Sequence, residues 1–211
     1  MKALVTGAAG FIGSNLVDRL IEKNFVVHGV DNFSTGRLEY LDKAKKNTDF
    51  VFNKIDLLVD NLSLLHDNYD YIFHMAANAD IRGGSKNSKI DFEQNLIVTH
   101  KLLEFCKGLK KKPIFIFSST AAALGEPKVF PTPEDIAIPM QTSLYGASKM
   151  ACESIISAYS NTYKLESYAF RFVSVLGPRY SHGHVFDFMK KLKKNPKILE
   201  VLGNGTAEKS Y

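Results

Sequence analysis

The chain has 211 residues, of which 45% are hydrophobic and 23% are charged, and its formal net charge at pH 7 is +5. This length and composition predict one globular domain with a sizeable core, together with part of a second domain. No apolar run is long enough to span a membrane, and the lysine clusters lack the interleaved aromatic residues of a nucleic-acid-binding surface, so we expect neither kind of partner.

The first predicted element is a short apolar strand over residues 2–6, which leads into three glycines and an amphipathic helix over 11–23. Gly7 allows a tight turn, Gly10 lets the backbone approach a pyrophosphate, and Gly13 lets the helix pack closely against the strand. The start of the helix then directs N–H groups at the phosphates. The pattern predicts a dinucleotide-binding site.

The second predicted strand, over 25–31, ends in Asp31, about where a dinucleotide-binding motif places an acid. A carboxylate there accepts hydrogen bonds from a ribose diol and repels a 2′-phosphate, which favours NAD over NADP. Two alternatives stay open at this point. Arg37 in the next loop could pair with a 2′-phosphate, and Asp31 could simply cap a turn.

The rest of the chain alternates between apolar strands and helical patterns. Strands are predicted over 49–55, 70–76, 113–119 and 166–173, and helices over 91–107, 145–163 and 185–194, with short helical pieces near 37–46 and 60–66. This alternation predicts an α/β fold, a doubly wound parallel sheet with helices on both faces. The proline-rich residues 126–142 are predicted to form an extended loop.

Ligands of doubly wound sheets bind at the carboxyl ends of the strands. We therefore expect Asp56, His74 to Ala77 and Ser118 to Thr120 to line one crevice.

Tyr145 and Lys149 are four residues apart at the start of a predicted helix, so both side chains project from the same helical face. An ammonium beside a phenol stabilises the phenolate and lowers the phenol pKa. Tyr145 could then take a proton from a sugar hydroxyl that Thr120 holds in line. The spacing alone occurs by chance in a chain this rich in lysine, and its position in a dinucleotide-binding fold gives it value.

The cysteines and histidines do not predict a metal site. Cys106 and Cys152 are isolated along the chain, and we interpret them as small buried residues of a protein in a reducing cytoplasm. His182 and His184 have no third ligand at a fitting spacing.

Together these motifs resemble the extended short-chain dehydrogenase/reductase family, and within it the NAD-dependent epimerase/dehydratase group typified by UDP-glucose 4-epimerase. The resemblance covers nearly the whole chain and is carried by Thr6 to Gly13, Asp31-Asn32, Asp56-Leu57, His74-Met75-Ala76-Ala77, Asn95, Ser118-Ser119-Thr120, Tyr145 to Lys149 and Gly177-Pro178-Arg179. It implies a Rossmann fold with NAD as the bound cofactor.

The resemblance also implies roles for individual residues. Thr120, Tyr145 and Lys149 would be the catalytic residues. The residues implied to bind NAD are Gly7, Gly10, Phe11, Ile12, Gly13, Asp31, Asn32, Ser34, Thr35, Gly36, Asp56, Leu57, Met75, Ala76, Ala77, Asn95, Tyr145 and Lys149. Those implied to contact the substrate are Thr120, Tyr145, Ser174, Val185, Phe186 and Lys209. A homodimer would form through the helices near 91–107 and 145–163.

Departures from the family pattern restrict the reaction. Ala121 and Ala122 follow Thr120, where dehydratases and decarboxylases of the family carry acidic residues, and alanine cannot transfer protons. Leu124 replaces a usual tyrosine, and Ser174 replaces a common asparagine that touches the substrate. These changes leave the redox residues intact and put the identity of the sugar in doubt.

The expected domains are an NAD-binding Rossmann domain over 1–173 and the beginning of a smaller substrate-binding lobe over 174–211. The family continues past the position of Tyr211, so we expect these residues to bind NAD and to show little turnover by themselves.

The function expected from the resemblance is a cytoplasmic, NAD-dependent nucleotide-sugar 4-epimerase of the UDP-glucose/UDP-galactose type, acting by hydride transfer through a 4-keto intermediate. One alternative is a sugar or nucleotide-sugar dehydrogenase of the same family. The other is a non-catalytic NAD-binding or sensor module, against which the intact Tyr145 and Lys149 argue.

Overall fold

The computed structural model describes residues 1–65, 68–129, 131–136, 140–201 and 203–204. The chain divides into two compact units, Met1–Phe172 and Val173–Tyr211. The first unit contains a six-stranded sheet and most of the helices, and the second contains the last helix.

The strands are β1 (Lys2–Thr6), β2 (Val26–Asp31), β3 (Phe50–Lys54), β4 (Tyr71–His74), β5 (Ile114–Thr120) and β6 (Ser167–Phe172). The α-helices are α1 (Phe11–Glu22), α2 (Ile81–Lys86), α3 (Ser88–Asp91), α4 (Val98–Gly108), α5 (Leu144–Tyr163) and α6 (His184–Lys194), and the π-helical turn Phe92–Ile97 joins α3 to α4. Short 3₁₀ turns cover Leu38–Leu41, Ala44–Lys46, Leu62–Leu65 and Ala121–Leu124.

All six strands are parallel, in the spatial order β3-β2-β1-β4-β5-β6. In register, Ala3 of β1 lies opposite Val27 of β2 on one side and Tyr71 of β4 on the other. The chain thus reverses its direction across the sheet between β1 and β4, which opens a crevice at the carboxyl ends of these two strands. The predicted doubly wound parallel sheet is confirmed.

The apolar core lies on both faces of the sheet because neighbouring side chains of a strand point in opposite directions. Leu4 of β1 belongs to one buried cluster, which α4 and α5 cover with Leu102 and Ile156. Val5 belongs to the other cluster, which α1 covers with Val17. The helices therefore cover both faces, as the alternating pattern predicts.

Two helical features differ from the sequence expectations. The helix predicted over 91–107 begins earlier, at Ser88, and is interrupted by the π-helical turn. The helix α2 was not predicted, because its sequence Ile-Arg-Gly-Gly-Ser-Lys contains two glycines, which disfavour helix formation. In the loop predicted over 126–142, residues 130 and 137–139 lie outside the described residues, and the others form bends and turns up to Ser143, which caps α5.

Candidate active site

The turn between β1 and α1 requires glycine at two positions. Gly7 has a φ of +65°, in the left-handed region that favours glycine, and a Cβ there would lie 2.7 Å from the backbone nitrogen of Ala76. A Cβ on Gly13 would lie 2.0 Å from the carbonyl oxygen of Gly7. Strand, turn and helix are thus as close as the backbone permits.

The start of α1 suits an anion. The cap position is Gly10, which contributes no side-chain hydrogen bond to the helix, and Phe11 and Ile12 open the first turn. Backbone N–H groups and the helix dipole at such an end favour negative charge. The turn therefore fits the pyrophosphate of a dinucleotide.

Asp31 lies at the carboxyl end of β2, where its carboxylate organises the backbone around it. Its Oδ2 accepts a hydrogen bond from the Ala9 N–H at 2.9 Å, and its Oδ1 accepts one from the Phe33 N–H at 2.8 Å. Burial raises the pKa of Asp31, and these backbone hydrogen bonds oppose the rise. Each oxygen keeps a further lone pair, which a ribose hydroxyl can use.

The loop after β2 is tied to the loop after β3. The Asn32 side chain donates from Nδ2 to Asp56 Oδ2 at 3.0 Å and accepts the Ser34 N–H at 2.9 Å. Thr35 and Gly36 follow in the same loop, with Thr35 exposed. The Leu57 side chain belongs to the core, so only its backbone is left for a ligand.

Residues Met75 to Ala77 leave the carboxyl end of β4 beside the glycine turn, as expected, and the Ala76 N–H donates to Thr6 Oγ1 at 3.2 Å. The His74 side chain, in contrast, does not line the crevice. It is fully buried, with Nδ1 2.8 Å from Thr6 Oγ1 and Nε2 3.0 Å from Thr99 Oγ1. Burial and the nearby charge of Lys149 lower its pKa to about 3, so it is a neutral structural histidine.

Thr120 and Tyr145 lie together at the carboxyl end of β5, close enough for the threonine side chain to act on the phenol. Thr120 ends β5 and caps the following 3₁₀ turn, accepting the Ala122 N–H at 3.1 Å. Gln141 Nε2 donates to the Ala123 carbonyl at 2.8 Å and so ties the segment before α5 to that same turn. Burial raises the pKa of the Tyr145 phenol, while the hydrogen bond from Thr120 lowers it.

Lys149 lies one helical turn below Tyr145 and is 2% exposed. Its Nζ donates to the Ser118 carbonyl at 2.8 Å and lies 4.5 Å from the centre of the Phe117 ring. Burial lowers its pKa to about 8. The structure thus brings Thr120, Tyr145 and Lys149 to the carboxyl end of β5, with Lys149 hydrogen-bonded to the strand.

A hydrogen-bond network lies behind these residues, and apart from Asn95 its members were not predicted to have a role. Asn95, in the π-helical turn, accepts the Asn78 N–H at 2.9 Å and donates to Ser148 Oγ at 2.9 Å. Ser148 Oγ in turn donates to the Tyr145 carbonyl at 2.8 Å. Asn78 also donates from Nδ2 to Asp91 Oδ1 at 2.8 Å. The spacing of four residues between Asp91 and Asn95 is the signal that could have indicated Asp91.

A second missed group holds α5 against the end of the sheet. Arg171 of β6 binds both carboxylate oxygens of Glu153, with its Nη2 2.8 Å from Oε2, and donates to the Glu134 carbonyl at 3.0 Å. Ser119 donates to the same carboxylate. Glu153 lies one turn beyond Lys149 on α5, so this cluster fixes the helix that carries both Tyr145 and Lys149.

Apart from Thr120 and Tyr145, the residues expected to contact a sugar lie in the second unit or outside the described part of the chain. Val185 and Phe186 belong to the first turn of α6, Ser174 precedes it, and Lys209 lies outside the described residues. Within the described ranges, no group of three histidine, cysteine or acidic side chains could hold a metal ion. No helix in these ranges is long and apolar enough to cross a membrane.

The fold and the site together define a class of protein. A parallel sheet that binds a dinucleotide at its topological switch point, with tyrosine and lysine one turn apart beside it, is a Rossmann-fold protein of the dehydrogenase/reductase type. The chain matches the model of the NAD dependent epimerase/dehydratase family over residues 3–211 and belongs to that family.

Individual relatives agree with this assignment. The chain is 32% identical to a UDP-glucose 4-epimerase of Mycolicibacterium smegmatis, covering 100% of this chain and 69% of the relative. It is similar to a solved UDP-galactose 4-epimerase at a TM-score of 0.84 and 36% identity, covering 96% of this chain and 65% of the other.

A third relative was solved with ligands. It is the UDP-glucuronic acid 4-epimerase from Bacillus cereus in complex with UDP-glucuronic acid and NAD, with a TM-score of 0.88 and 33% identity over 98% of this chain and 67% of the other. The chain thus spans about two thirds of the length of these relatives.

Proposed function

We propose that the chain is the cofactor-binding part of an NAD-dependent nucleotide-sugar 4-epimerase that interconverts UDP-hexoses of the UDP-glucose/UDP-galactose type. The observation that carries this proposal is the meeting of Thr120 and Tyr145 at the end of β5, one helical turn from Lys149. The relatives named above are 4-epimerases for different UDP-sugars, which supports the class of reaction more closely than the identity of the hexose.

The cofactor is held by residues of three strand ends. The turn at Gly7 and the start of α1 receive the pyrophosphate, and Asp31 accepts hydrogen bonds from the adenosine ribose. Ala76 follows β4 beside the glycine turn, and Asn95 lies behind Tyr145, where it donates to Ser148. Bound NAD supplies the acceptance and return of a hydride at the sugar C4.

The chain's own residues handle the proton. Thr120 holds the 4-hydroxyl of the sugar in line with the Tyr145 phenol, and Tyr145 removes the hydroxyl proton while the C4 hydrogen departs. After the 4-keto sugar has turned over, Tyr145 returns the same proton to the opposite epimer. Lys149 is charged at pH values below its pKa of about 8, and its charge favours the Tyr145 phenolate when NAD and the sugar are bound.

The residues after Thr120 support epimerisation rather than dehydration. Ala121 and Ala122 form the first part of the 3₁₀ turn that Thr120 caps, directly beside Tyr145. Dehydration needs a second acid or base at a neighbouring carbon, and an alanine methyl cannot supply one. Only one proton-transferring side chain, Tyr145, therefore faces the C4 hydroxyl in this proposal.

We infer in addition that the chain forms a homodimer through the helices that span 91–107 and 145–163. Phe92, Leu144 and Tyr163 on these helices are exposed, between 39% and 53%, and an interface would bury them. Sedimentation equilibrium tests this. A dimer whose dissociation constant rises on Phe92→Asp is expected, and a monomer at all concentrations would contradict it.

The test of the function uses the protein isolated from its natural source. It is incubated with NAD and a panel of UDP-, GDP- and dTDP-sugars, and the products are followed by proton NMR. We expect inversion at C4 of a UDP-hexose, lost in recombinant Tyr145→Phe. Accumulation of reduced cofactor matched by an oxidised sugar would instead indicate a dehydrogenase, and inversion at another carbon would refute the assignment.

A further inference from the structure

Asp91 is a buried carboxylate that has no part in the NAD binding or the proton transfer proposed above. It is the last residue of α3, is 1% exposed, and accepts hydrogen bonds on Oδ1 from Asn78 Nδ2 at 2.8 Å and from Asn95 Nδ2 at 3.5 Å. Within the described part of the chain, its Oδ2 is buried without a hydrogen-bond partner. Leaving a charged oxygen without a partner is costly, so its presence beside the active site calls for a physical reason.

The neighbouring helix α2 is shaped around this carboxylate. A Cβ on Gly84 would lie 2.0 Å from Asp91 Oδ2, so the oxygen occupies the space that any other residue at position 84 would fill. Two glycines weaken α2 as a helix, and one of them makes room for a charge. The carboxylate is therefore accommodated by the fold despite its cost.

The hydrogen-bond network connects Asp91 to α5, the helix that carries Tyr145 and Lys149. Asn78, which donates to Asp91, also donates its backbone N–H to Asn95. Asn95 donates to Ser148, and Ser148 donates to the Tyr145 carbonyl. Asp91 thus anchors a chain of hydrogen bonds that ends on the first turn of α5.

The charge of Asp91 also acts on the Tyr145 phenol. Burial is the largest cause of the raised pKa of Tyr145, and the negative charge of Asp91 raises that pKa further. The other titratable groups around Asp91 and Tyr145 are Lys149, Cys152 and Glu153 on α5, together with His74 of β4, which lies near Lys149. Asp91 is the carboxylate among them whose charge acts on Tyr145, and Glu153 is the one whose charge acts on Lys149.

We propose that Asp91 is a positioning residue whose hydrogen bonds fix the first turn of α5 and whose buried negative charge opposes a negative charge on the Tyr145 phenol. This inference rests on the proposed function, in which one hydroxyl must both remove and return a proton. A phenol flanked only by an ammonium would release its proton readily and return it poorly. An opposing carboxylate keeps the two directions comparable.

The test is a pH titration of the chain labelled with ¹³Cζ-tyrosine and followed by NMR, which needs neither cofactor nor sugar. Tyr145→Phe identifies the Tyr145 signal among the nine tyrosines. Asp91→Asn and Asp91→Ser remove the charge, with Ser small enough to leave the site near Gly84 uncrowded. Asp49→Asn removes an exposed carboxylate as the matched control.

We expect both neutral variants to move the Tyr145 midpoint to lower pH, with Asp49→Asn unchanged. An unmoved or higher midpoint in either folded Asp91 variant would overturn the proposal. If neither variant folds, Asp91 is needed for folding rather than for positioning Tyr145, which would also overturn the proposal. A protein without epimerase activity leaves these readings unaffected, so the two proposals fail separately.

Discussion

Replacing Gly13 by alanine tests the pyrophosphate-binding turn most severely. The new Cβ would lie 2.0 Å from the Gly7 carbonyl oxygen and 2.8 Å from the Gly7 carbonyl carbon. Both are backbone atoms, which cannot rotate away as a flexible side chain would. Restoring an ordinary contact therefore requires the start of α1 to move by about 1 Å or more from the turn.

The cost of that movement has two parts. Overpacking of this kind destabilises a fold by about 1–3 kcal/mol. Displacing the first turn of α1 also weakens its hydrogen bonds to a phosphate, which are charge-assisted and worth about 1.5–3 kcal/mol each. We therefore expect the NAD affinity to fall by about 100-fold or more.

Gly108 provides the matched control, since it is the last residue of α4 and a Cβ there would meet nothing within 4 Å. Gly108→Ala should leave NAD binding unchanged and stabilise the fold by up to about 1 kcal/mol. Calorimetric NAD titration and urea unfolding measure both effects. If Gly13→Ala bound NAD within about threefold of the parent chain, the turn would not be the pyrophosphate site.

Three further predictions concern charges. NAD should bind at least about tenfold more tightly than NADP because Asp31 repels a 2′-phosphate. Equal calorimetric affinities for the two cofactors would contradict this. An Asp31→Asn variant with an unchanged ratio of the two affinities would also contradict it. Lys149→Met should stabilise the free chain by up to about 3 kcal/mol at pH 7, because burial holds the lysine pKa at about 8 and the unfolded chain binds more protons. That gain should shrink as the pH rises from about 8 towards 10.5, and a pH-independent difference in urea unfolding would refute it. Arg171→Lys should lower the free energy of unfolding by about 1–3 kcal/mol, since it breaks a two-point contact with Glu153. Arg19→Lys, in an exposed pair with Glu22, should lower it by less than about 1 kcal/mol. Similar midpoints of thermal unfolding for the two variants would contradict this prediction.

The sheet could be predicted because its signals are local. Apolar runs bounded by turns define each strand, and the alternation with helices determines that the strands run parallel. The same holds for Gly7 and Asp31, which lie at the ends of two strands that the sheet places side by side. The roles assigned to them stay predictions of the sequence, now with a geometry that fits a dinucleotide.

The surroundings of the catalytic residues could not be predicted, because they depend on contacts between distant parts of the chain. Asp91 and Asn78 read as ordinary polar residues until α2 and α3 fold against α5. Glu153 and Arg171 are 18 residues apart and meet only where β6 joins the sheet. His74 was expected to line the crevice, and the hydroxyls of Thr6 and Thr99, far apart in sequence, hold it in the core.

The most direct test of the central claim follows the hydrogen at C4. A UDP-hexose deuterated at C4 is incubated in ordinary water with NAD and the protein isolated from its natural source, and the inverted product is isolated. If Tyr145 moves only the hydroxyl proton and the C4 hydrogen is held within the site, the product should retain its deuterium at C4. Loss of the deuterium to water would show that the proton on carbon is exchanged and would contradict the account.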